Sequence, residues 1–355
     1  MEPSIVPKSI ASPSLLSCVI IQKYEDCLPY YRQEKQFERI GVMISRQDMS
    51  NWQQQVYSRF SLLFILLKEM LKSGPVIRMD ETTVQVMGEE QRGDTQKSYM
   101  WLALGGPPGK PVVLYEYHET RSAKHAKELL EGYKGYLQTD GYQGYDTAVE
   151  GNSDIIHAGC FAHARRKFFE AAKVTEHKTL AEEGIRYIKT LYVIEKKLRE
   201  KYEREEDTEE EKDRKRKIFL RVRQLCAWRP LKEFKEWLLK LNEKVPPSLL
   251  LGKAVSYSLS QWNKLIKYLE SPYLTPDNNT CENAIRPFVL GRKNWLFNKS
   301  PEGAESSCGM YSLIQTAKQN KLNPARCLTA LFGKAPFASS LEDWKKLLPR
   351  NIFKA

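Results

Sequence analysis

The spacing of apolar residues changes twice along this chain of 355 residues, and these changes limit the folds that it can adopt. Helical spacing up to residue 74 gives way to short β-branched and aromatic runs between Pro75 and Cys160, and helical, charge-dense sequence follows from Arg165. Apolar residues three and four apart predict helices, whereas short β-branched runs predict strands. The pattern therefore predicts an α/β protein with one strand-rich region between helical regions.

Three apolar runs open the strand-rich region. They cover residues 76–87, 99–104 and 111–117, and the glycines and prolines at 105–109 predict an antiparallel turn between the last two. Ser122 is placed to cap the helix that follows, and further strands are predicted over 136–139 and 155–158. Three antiparallel strands followed by helix, strand, helix and strand predict a ribonuclease-H-like mixed sheet.

The helical sequence before the strands has the outline of a helix-turn-helix. One helix is predicted from Pro13 onward, Gly41 interrupts the pattern, and Ser45 can cap a new helix through Trp52. The second helix of such a motif can enter the major groove of DNA. A plain helical hairpin that packs on the next domain explains the same residues equally well, so the sequence leaves both interpretations open.

The sequence predicts six segments, and a helical insertion divides the predicted core into two of them. In chain order they are a linker (1–12), the helical region with the candidate helix-turn-helix (13–74), the first part of a ribonuclease-H-like core (75–164), an all-helical insertion (165–275), the last part of the core (276–332) and a C-terminal tail (333–355).

Charge and cysteine content narrow the function. Lys and Arg number 56 against 44 Asp and Glu, and the net charge of +12 favours a polyanionic partner such as nucleic acid. Seven scattered cysteines without a C-x-x-C pair suggest neither a disulfide framework nor a four-cysteine zinc site. The longest apolar stretch, Leu62–Leu67, is too short for a bilayer, and no secretory leader is visible, so we expect a cytoplasmic protein without a membrane partner.

Acidic residues on predicted strands are candidates for a metal site. Asp80 lies in the middle of the first strand, but strand alternation points Asp80 and Glu81 to opposite faces, so that only one can serve a given site. Asp140 follows the strand over 136–139 and precedes Gly141, at a strand end where ligands collect. Carboxylate oxygens are preferred ligands of Mg²⁺.

Glu282 is the best candidate for a third carboxylate, which a two-metal phosphoryl transfer would use. It precedes a basic run that suits DNA. With Asn279 as N-cap, however, Glu282 would be the third helical residue and could simply close a capping box. Pro287 predicts that the helix here kinks or begins late.

Basic and aromatic residues near the candidate acids could contact DNA, by phosphate contacts or by stacking on an unpaired base. These candidates are Arg165, Arg166, Lys167, Arg286, Arg292, Lys293 and Trp295. Ordinary surface charge, or a buried indole in the case of Trp295, is the alternative. Cys160 and His163 form a C-x-x-H pair, but two ligands do not make a tetrahedral zinc site, so we expect them to pack structurally.

Six stretches together resemble a known family. They are 7–52 (PKSIASPSLL through YRQEKQFERIGVMISRQDMSNW), 79–86 (MDETTVQV), 136–145 (YLQTDGYQGY), 159–169 (GCFAHARRKFF), 282–297 (ENAIRPFVLGRKNWLF) and 312–322 (SLIQTAKQNKL). The sequence resembles the transposases of the insertion-sequence-66 family, a bacterial group of the DDE class. The matching stretches span nearly the whole chain.

The resemblance implies a catalytic function. It implies DNA cleavage at the ends of an insertion sequence and strand transfer to target DNA, with Mg²⁺ or Mn²⁺ as cofactor. Residue by residue, it assigns Asp80, Asp140 and Glu282 as the catalytic, metal-binding acids, and it selects Asp80 over Glu81. It also implies a homo-oligomer in a synaptic complex, accessory proteins from the same element and a nucleoid-associated location in the cytoplasm.

One departure from the family pattern concerns the start of the chain. Family members usually begin with a further region that carries a basic helical segment and a cysteine-rich motif, and this sequence starts just after it, so we expect an amino-terminally short form. Two alternative functions follow: a truncated, non-catalytic DNA-binding remnant, and a ribonuclease-H-like metal nuclease.

Overall fold

A computed structural model describes residues 3–174, 178–203 and 207–353 of the chain. Residues 1–2 of the predicted linker, 175–177 and 204–206 of the predicted insertion and 354–355 of the predicted tail lie outside these ranges. None of the helices formed by the described residues is both long enough and apolar enough to cross a membrane.

Five strands form one mixed sheet, in the order β3-β2-β1-β4-β5. The strands are β1 (Val76–Gln85), β2 (Lys97–Gly105), β3 (Val112–His118), β4 (Gly135–Gln138) and β5 (Ile155–Ala158). β2 pairs antiparallel with both β1 and β3, as the turn at 105–109 predicted. In this register Asp80 lies opposite Leu102, and Glu81 lies opposite Trp101. The mixed α/β class is therefore confirmed.

Helices make up most of the remaining structure. In chain order they are α1 (Pro13–Tyr24), α2 (Tyr30–Arg39), α3 (Arg46–Arg59), α4 (Ser61–Lys72), α5 (Ala123–Leu130), α6 (Gln143–Val149), α7 (Phe161–Ala172), α8 (Lys178–Tyr202), α9 (Glu209–Asn242), α10 (Leu250–Ser260), α11 (Trp262–Leu265), α12 (Asn279–Trp295), α13 (Pro301–Gln319), α14 (Pro324–Lys334) and α15 (Leu341–Lys346).

The chain divides into two compact units, one of them discontinuous in sequence. The first unit comprises Met1–Gly135 and Thr280–Ala355, and the second comprises Tyr136–Asn279. The predicted helical insertion over 165–275 falls within the second unit. The assignment of the predicted segments to a core and an insertion stays a prediction.

In the first unit, α13 covers the edge strand β3 and satisfies its backbone. The Thr316 hydroxyl accepts a hydrogen bond from the Val113 N–H and donates one to the Val113 carbonyl, both at 3.0 Å. The Ser312 hydroxyl accepts from the Tyr115 N–H at 2.9 Å. Exposed strand edges invite pairing with other chains. Side chains of α13 thus take the place of a further strand.

The helix predicted from Pro13 onward is divided into α1 and α2, and the helix predicted after Gly41 is present as α3. Ser45 caps α3 in a capping box with Asp48, and Gly41 adopts a positive φ of 77° in the turn, as the sequence predicted. The buried Gln53 of α3 accepts from the Tyr24 hydroxyl at 2.6 Å and donates to the Ser306 hydroxyl at 2.7 Å. The inner face of α3 is therefore bonded to α1 and α13. Insertion of this helix into DNA stays a prediction.

The segment that the sequence predicted as a linker is packed where it is described. It contains no helix or strand between residues 3 and 12, but Ile5, Val6 and Ala11 are all buried. Buried apolar side chains stabilise the fold in proportion to the area that they remove from water. This segment therefore contributes to the core of the first unit.

A buried ion pair organises the second unit. Arg223 of α9 is fully buried, and its Nε lies 3.0 Å from Glu195 Oε2 of α8. The same guanidinium donates to the carbonyls of Ser271 at 2.9 Å and Leu274 at 3.2 Å. Burial lowers the pKa of Arg223 to about 10, although the Glu195 carboxylate opposes that shift. A planar fork of donors can serve several acceptors at once, which suits arginine to this position.

Candidate functional site

Asp80 and Glu81 have different surroundings on β1. Asp80 is half-buried, and its Oδ1 accepts the Glu81 N–H at 2.8 Å. The Glu81 carboxylate is 2% exposed and forms an ion pair with Arg121, whose Nε also donates to it. A buried carboxylate needs such a partner, because desolvation otherwise disfavours its charge. The Glu81 carboxylate is thus already paired with a cation of the chain, and the selection of Asp80 as the metal ligand stays a prediction.

Asp80 and Glu282 act on the same buried thiol in the first unit. Burial raises the pKa of Cys281 well above its ordinary value, and the Asp80 carboxylate raises it further. Arg78 opposes the shift, while Glu282, next to Cys281 in sequence, and Glu81 add to it. Nearby negative charges disfavour the thiolate. Charged side chains of both β1 and α12 therefore act on Cys281.

The helix that carries Glu282 begins at Asn279 and continues through Pro287 to Trp295. Glu282 is therefore the fourth residue of the helix, whereas the capping-box alternative requires it to be the third. The helix also does not begin late, although Pro287 predicted a kink or a late start. The Tyr115 hydroxyl of β3 donates to the Ala284 carbonyl, close to the freed backbone at the proline. This contact holds the first turns of α12 in the first unit.

Arg292, near the end of α12, contacts β1. Its guanidinium donates to the Thr82 hydroxyl at 2.9 Å and also to the Thr83 carbonyl. Just beyond α12, the backbone of Asn298 pairs with the end of β1. The Asn298 N–H donates to the Gln85 carbonyl at 3.0 Å, and the Asn298 carbonyl accepts from the Met87 N–H at 2.9 Å. The C-terminal half of α12 is thus tied to the strand that carries Asp80.

Asp140 lies in a tight turn of the second unit, directly after β4. Its Oδ1 accepts the Tyr142 N–H at 2.9 Å. A Cβ on Gly141 would lie 2.6 Å from the Tyr257 ring, so only glycine fits beside that ring. Burial raises the pKa of Tyr257, and the charges of Cys160 and Asp140 raise it further. The turn therefore presents a half-buried carboxylate with a fixed backbone.

A polar chain behind this turn was not predicted from the sequence. Nδ1 of His157 lies 2.9 Å from Asp146 Oδ1, and the Lys264 ammonium lies 2.6 Å from the same oxygen. These contacts lower the pKa of Asp146 to about 2, the hydrogen bond with His157 contributing most. A histidine within the apolar strand β5 was the one available sequence signal, since buried polar groups need partners.

The candidate DNA-contacting residues differ in exposure. Arg166, Arg286 and Lys293 are exposed, whereas Arg292 is half-buried against β1. The Arg165 guanidinium lies 4.8 Å from the Phe169 ring centre, and Lys167 Nζ lies 4.9 Å from that of Tyr257. Cation–π contacts of this kind hold a cation against the protein surface. The DNA-binding assignment of all these residues stays a prediction.

Two further candidates have packing contacts. The half-buried Trp295 ring meets Phe288 edge-on, with ring centres 5.6 Å apart, which agrees with the packing alternative. Cys160 is buried, and its sulfur accepts the Asn278 N–H at 3.2 Å. His163 lies one helical turn further on, in α7. The structural role of Cys160 and His163 stays a prediction.

The fold defines the class of the protein, which is a mixed α/β protein built on one five-stranded sheet. The model of the family described as "Transposase IS66 family" matches residues 8–306. The chain therefore belongs to the IS66 family of transposases.

Similar proteins occur in Sinorhizobium fredii (strain NBRC 101917 / NGR234). The uncharacterized protein y4jD is 29% identical over 353 residues, which cover 96% of this chain and 66% of that protein. The uncharacterized protein y4qI is 28% identical over 359 residues of the alignment, which covers 98% of this chain and 64% of that protein. This chain thus spans less than two thirds of the length of these curated relatives.

Proposed function

We propose that this protein cleaves DNA phosphodiesters at the ends of an insertion sequence and joins those ends to target DNA, by the metal-dependent chemistry of the DDE class. The observation that carries the proposal is the contact of Arg292 with Thr82 and Thr83, which joins the helix that carries Glu282 to the strand that carries Asp80. This contact supports a strand carboxylate and a helix carboxylate in one part of the first unit. Membership of a transposase family supports the reaction class.

The chemistry of the donor set fits Mg²⁺ or Mn²⁺. Carboxylate oxygens are ligands for these hard cations. When bound, the metal would activate a water or a DNA 3′-hydroxyl for in-line attack on phosphorus and neutralise the charge on the leaving oxygen. Asp140 of the second unit completes the proposed set, based on its place after β4 and on family membership.

The protein's own residues keep the carboxylates in place. The ion pair between Glu81 and Arg121 anchors β1 beside Asp80, and Arg292 ties α12 to the same strand. Catalysis by positioned charges depends on such preorganisation, because the groups then need no rearrangement during reaction. We further propose that the sheet belongs to a ribonuclease-H-like core, which the antiparallel order of β1, β2 and β3 supports.

DNA at element ends and in the target is the proposed substrate. The net charge of +12 and the exposed cations Arg166, Arg286 and Lys293 support electrostatic binding to phosphates. We also propose a homo-oligomer in a synaptic complex, accessory proteins from the same element and association with the nucleoid. These partners follow from the family resemblance.

A joining assay tests the proposal. Purified protein is incubated with a pre-cleaved element end and a target plasmid in Mg²⁺, and we expect joined products. Asp80→Asn and Glu282→Gln should abolish joining while DNA binding remains. Glu302→Gln, an exposed acid of α13, is the matched control and should join normally.

The other outcomes of this assay identify the alternative functions. Nicks without joining on any DNA would indicate a ribonuclease-H-like metal nuclease. Binding without any cleavage would indicate a DNA-binding remnant. Normal joining by Glu282→Gln would remove Glu282 from the proposed metal ligands.

A further inference from the structure

A continuous chain of hydrogen bonds in the second unit ends at the backbone of Asp140. It starts at the Lys264 ammonium of α11, which lies 2.6 and 2.7 Å from the two oxygens of Asp146 in α6. Asp146 Oδ1 lies 2.9 Å from His157 Nδ1, and His157 Nε2 lies 2.8 Å from the Thr139 hydroxyl. That hydroxyl donates to the Asp140 carbonyl at 2.9 Å.

The number of protons available limits the direction of each hydrogen bond. The Thr139 hydroxyl has one proton and two lone pairs, and it lies between His157 Nε2 and the Asp140 carbonyl. The ionised Asp146 carboxylate can only accept, so His157 Nδ1 donates to it. The Lys264 ammonium balances the charge of Asp146.

The same residues have the order of an acid–imidazole–hydroxyl triad, but burial argues against nucleophilic catalysis. Thr139 is fully buried, and the His157 side chain is 8% exposed. A nucleophile must reach a reacting atom at about 3 Å, which a fully buried hydroxyl bonded on both sides does not do. The chain of contacts instead acts on the backbone at Asp140.

We propose that His157 is a positioning residue that, through Thr139, fixes the turn carrying Asp140. The inference rests on the proposed function, because Asp140 matters here as a metal ligand. The turn is held at two points: Thr139 binds its carbonyl, while the Tyr142 N–H binds its carboxylate. Together these bonds set the direction in which the carboxylate projects.

The elements behind the turn are themselves fastened together. The Lys264 carbonyl accepts the Gly159 N–H at 3.0 Å, just after β5, and the Thr139 N–H donates to the Ala158 carbonyl at 3.1 Å. His157 therefore has a rigid support on its own strand. Groups behind the ligands of metal sites commonly orient those ligands, and their loss typically lowers metal affinity by roughly 10- to 100-fold.

The Mn²⁺ affinity of the 355-residue chain, measured by electron paramagnetic resonance titration, tests this inference. Thr139→Val keeps the side-chain shape but removes the hydroxyl, and His157→Leu removes both ring nitrogens. We expect each to weaken Mn²⁺ binding about 10-fold. Thr139→Ser keeps the hydroxyl, so this variant should bind Mn²⁺ with wild-type affinity.

A matched control separates positioning from general loosening. Thr190→Val in α8 removes a comparable hydrogen bond, from a threonine hydroxyl to the Arg186 carbonyl at 3.0 Å, in the same unit. It should leave Mn²⁺ affinity unchanged. Thermal unfolding of each variant reports folding, and Thr139→Ser provides the comparison if Thr139→Val does not fold.

The outcomes distinguish this inference from the function on which it rests. Wild-type Mn²⁺ affinity in Thr139→Val and His157→Leu, with loss in Asp140→Asn, would overturn the positioning role alone. Equal weakening by Thr190→Val or by Thr139→Ser would also overturn it. Wild-type affinity in Asp140→Asn would overturn the assignment of Asp140 as a metal ligand, and with it the proposed site.

Discussion

Arg292 donates a hydrogen bond to the Thr82 hydroxyl at 2.9 Å and thereby joins α12 to β1, the strand that carries Asp80. The same guanidinium donates to the Thr83 carbonyl. Burial lowers the pKa of Arg292, which agrees with its half-buried position. A guanidinium used in this way has fewer donors left for a DNA phosphate.

Arg292 and its exposed neighbour Lys293 should therefore behave differently when replaced. Arg292→Ala should lower the free energy of unfolding by about 1–3 kcal/mol, because it leaves the Thr83 carbonyl without a buried donor. Lys293→Ala should change it by less than about 0.5 kcal/mol. Urea denaturation of the two variants measures the difference.

DNA binding gives the complementary result. Lys293→Ala should reduce the slope of log affinity against log salt by about 0.9, the value for one phosphate contact. Arg292→Ala should leave the slope unchanged, because its guanidinium already donates to Thr82 and Thr83. Titrations at several salt concentrations measure the slopes. A reduction of about 0.9 for Arg292→Ala would make it a phosphate-binding residue after all.

Thiol reactivity should report the burial of the site. Cys18 and Cys226 are exposed, whereas Cys281 is buried and its pKa is raised well above the ordinary value by burial and by Asp80. Since the thiolate is the reactive form, iodoacetamide at pH 8 should label Cys18 and Cys226 and leave Cys281 unmodified. Mass spectrometry of peptides checks this. Labelling of Cys281 as fast as Cys226 would show that α12 opens in the native protein.

Asp146 should make folding stability depend on pH in the acid range. Its pKa is lowered from 3.8 to about 2 by His157 and Lys264, so the stabilisation is fully present above the unfolded value and is lost as pH falls through the folded value. Asp146→Asn should therefore be less stable than the wild type at pH 6. That difference should shrink as pH falls from 3.8 towards 2.

Urea denaturation between pH 6 and pH 3 measures the contribution of Asp146. Asp213→Asn, which changes an exposed aspartate of α9, is the control and should show a much smaller difference. A difference between Asp146→Asn and wild type that stays constant down to pH 3 would exclude a contribution from the ionised carboxylate.

Gly141→Ala should destabilise the turn at Asp140. The new Cβ would lie 2.6 Å from the Tyr257 ring, and overpacking of this kind costs about 1–3 kcal/mol. Gly303→Ala is the control, because its nearest neighbour would be Ser300 Oγ at 3.5 Å. Adding Tyr257→Leu to Gly141→Ala should recover part of the loss in urea denaturation. Additive effects would show that the ring and the turn do not interact.

Local features of the fold were predictable from the sequence because local chemistry decides them. The runs of β-branched residues predicted the strands, and Ser45 and Ser122 cap α3 and α5 as expected, since a serine side chain satisfies a free N–H near its own helix. The packing of residues 3–12 was missed. Their burial depends on contacts that the local pattern does not encode.

The site was predictable only at the level of candidate residues. Alternation could not choose between Asp80 and Glu81, because the partner of Glu81 is Arg121, 40 positions away in sequence. From the sequence, Arg292 is predicted to be a surface cation, because its contact with Thr83, 209 positions away, is visible only in the structure. His157 and Asp146 are only 11 positions apart, but the presence of one residue does not predict a contact with the other. Tertiary contacts, which one sequence does not reveal, decide these roles.

The discontinuous first unit has a consequence for the order of events on the ribosome. β3 receives the hydrogen bonds that complete its edge from Thr316, 203 positions later in the chain. At a synthesis rate of about 5–20 residues per second, that edge waits roughly 10–40 s for its partner. The second unit is continuous and is fully synthesised within that interval. During translation, the nascent β3 is therefore a point at which chaperone binding or pairing with another nascent chain competes with native folding.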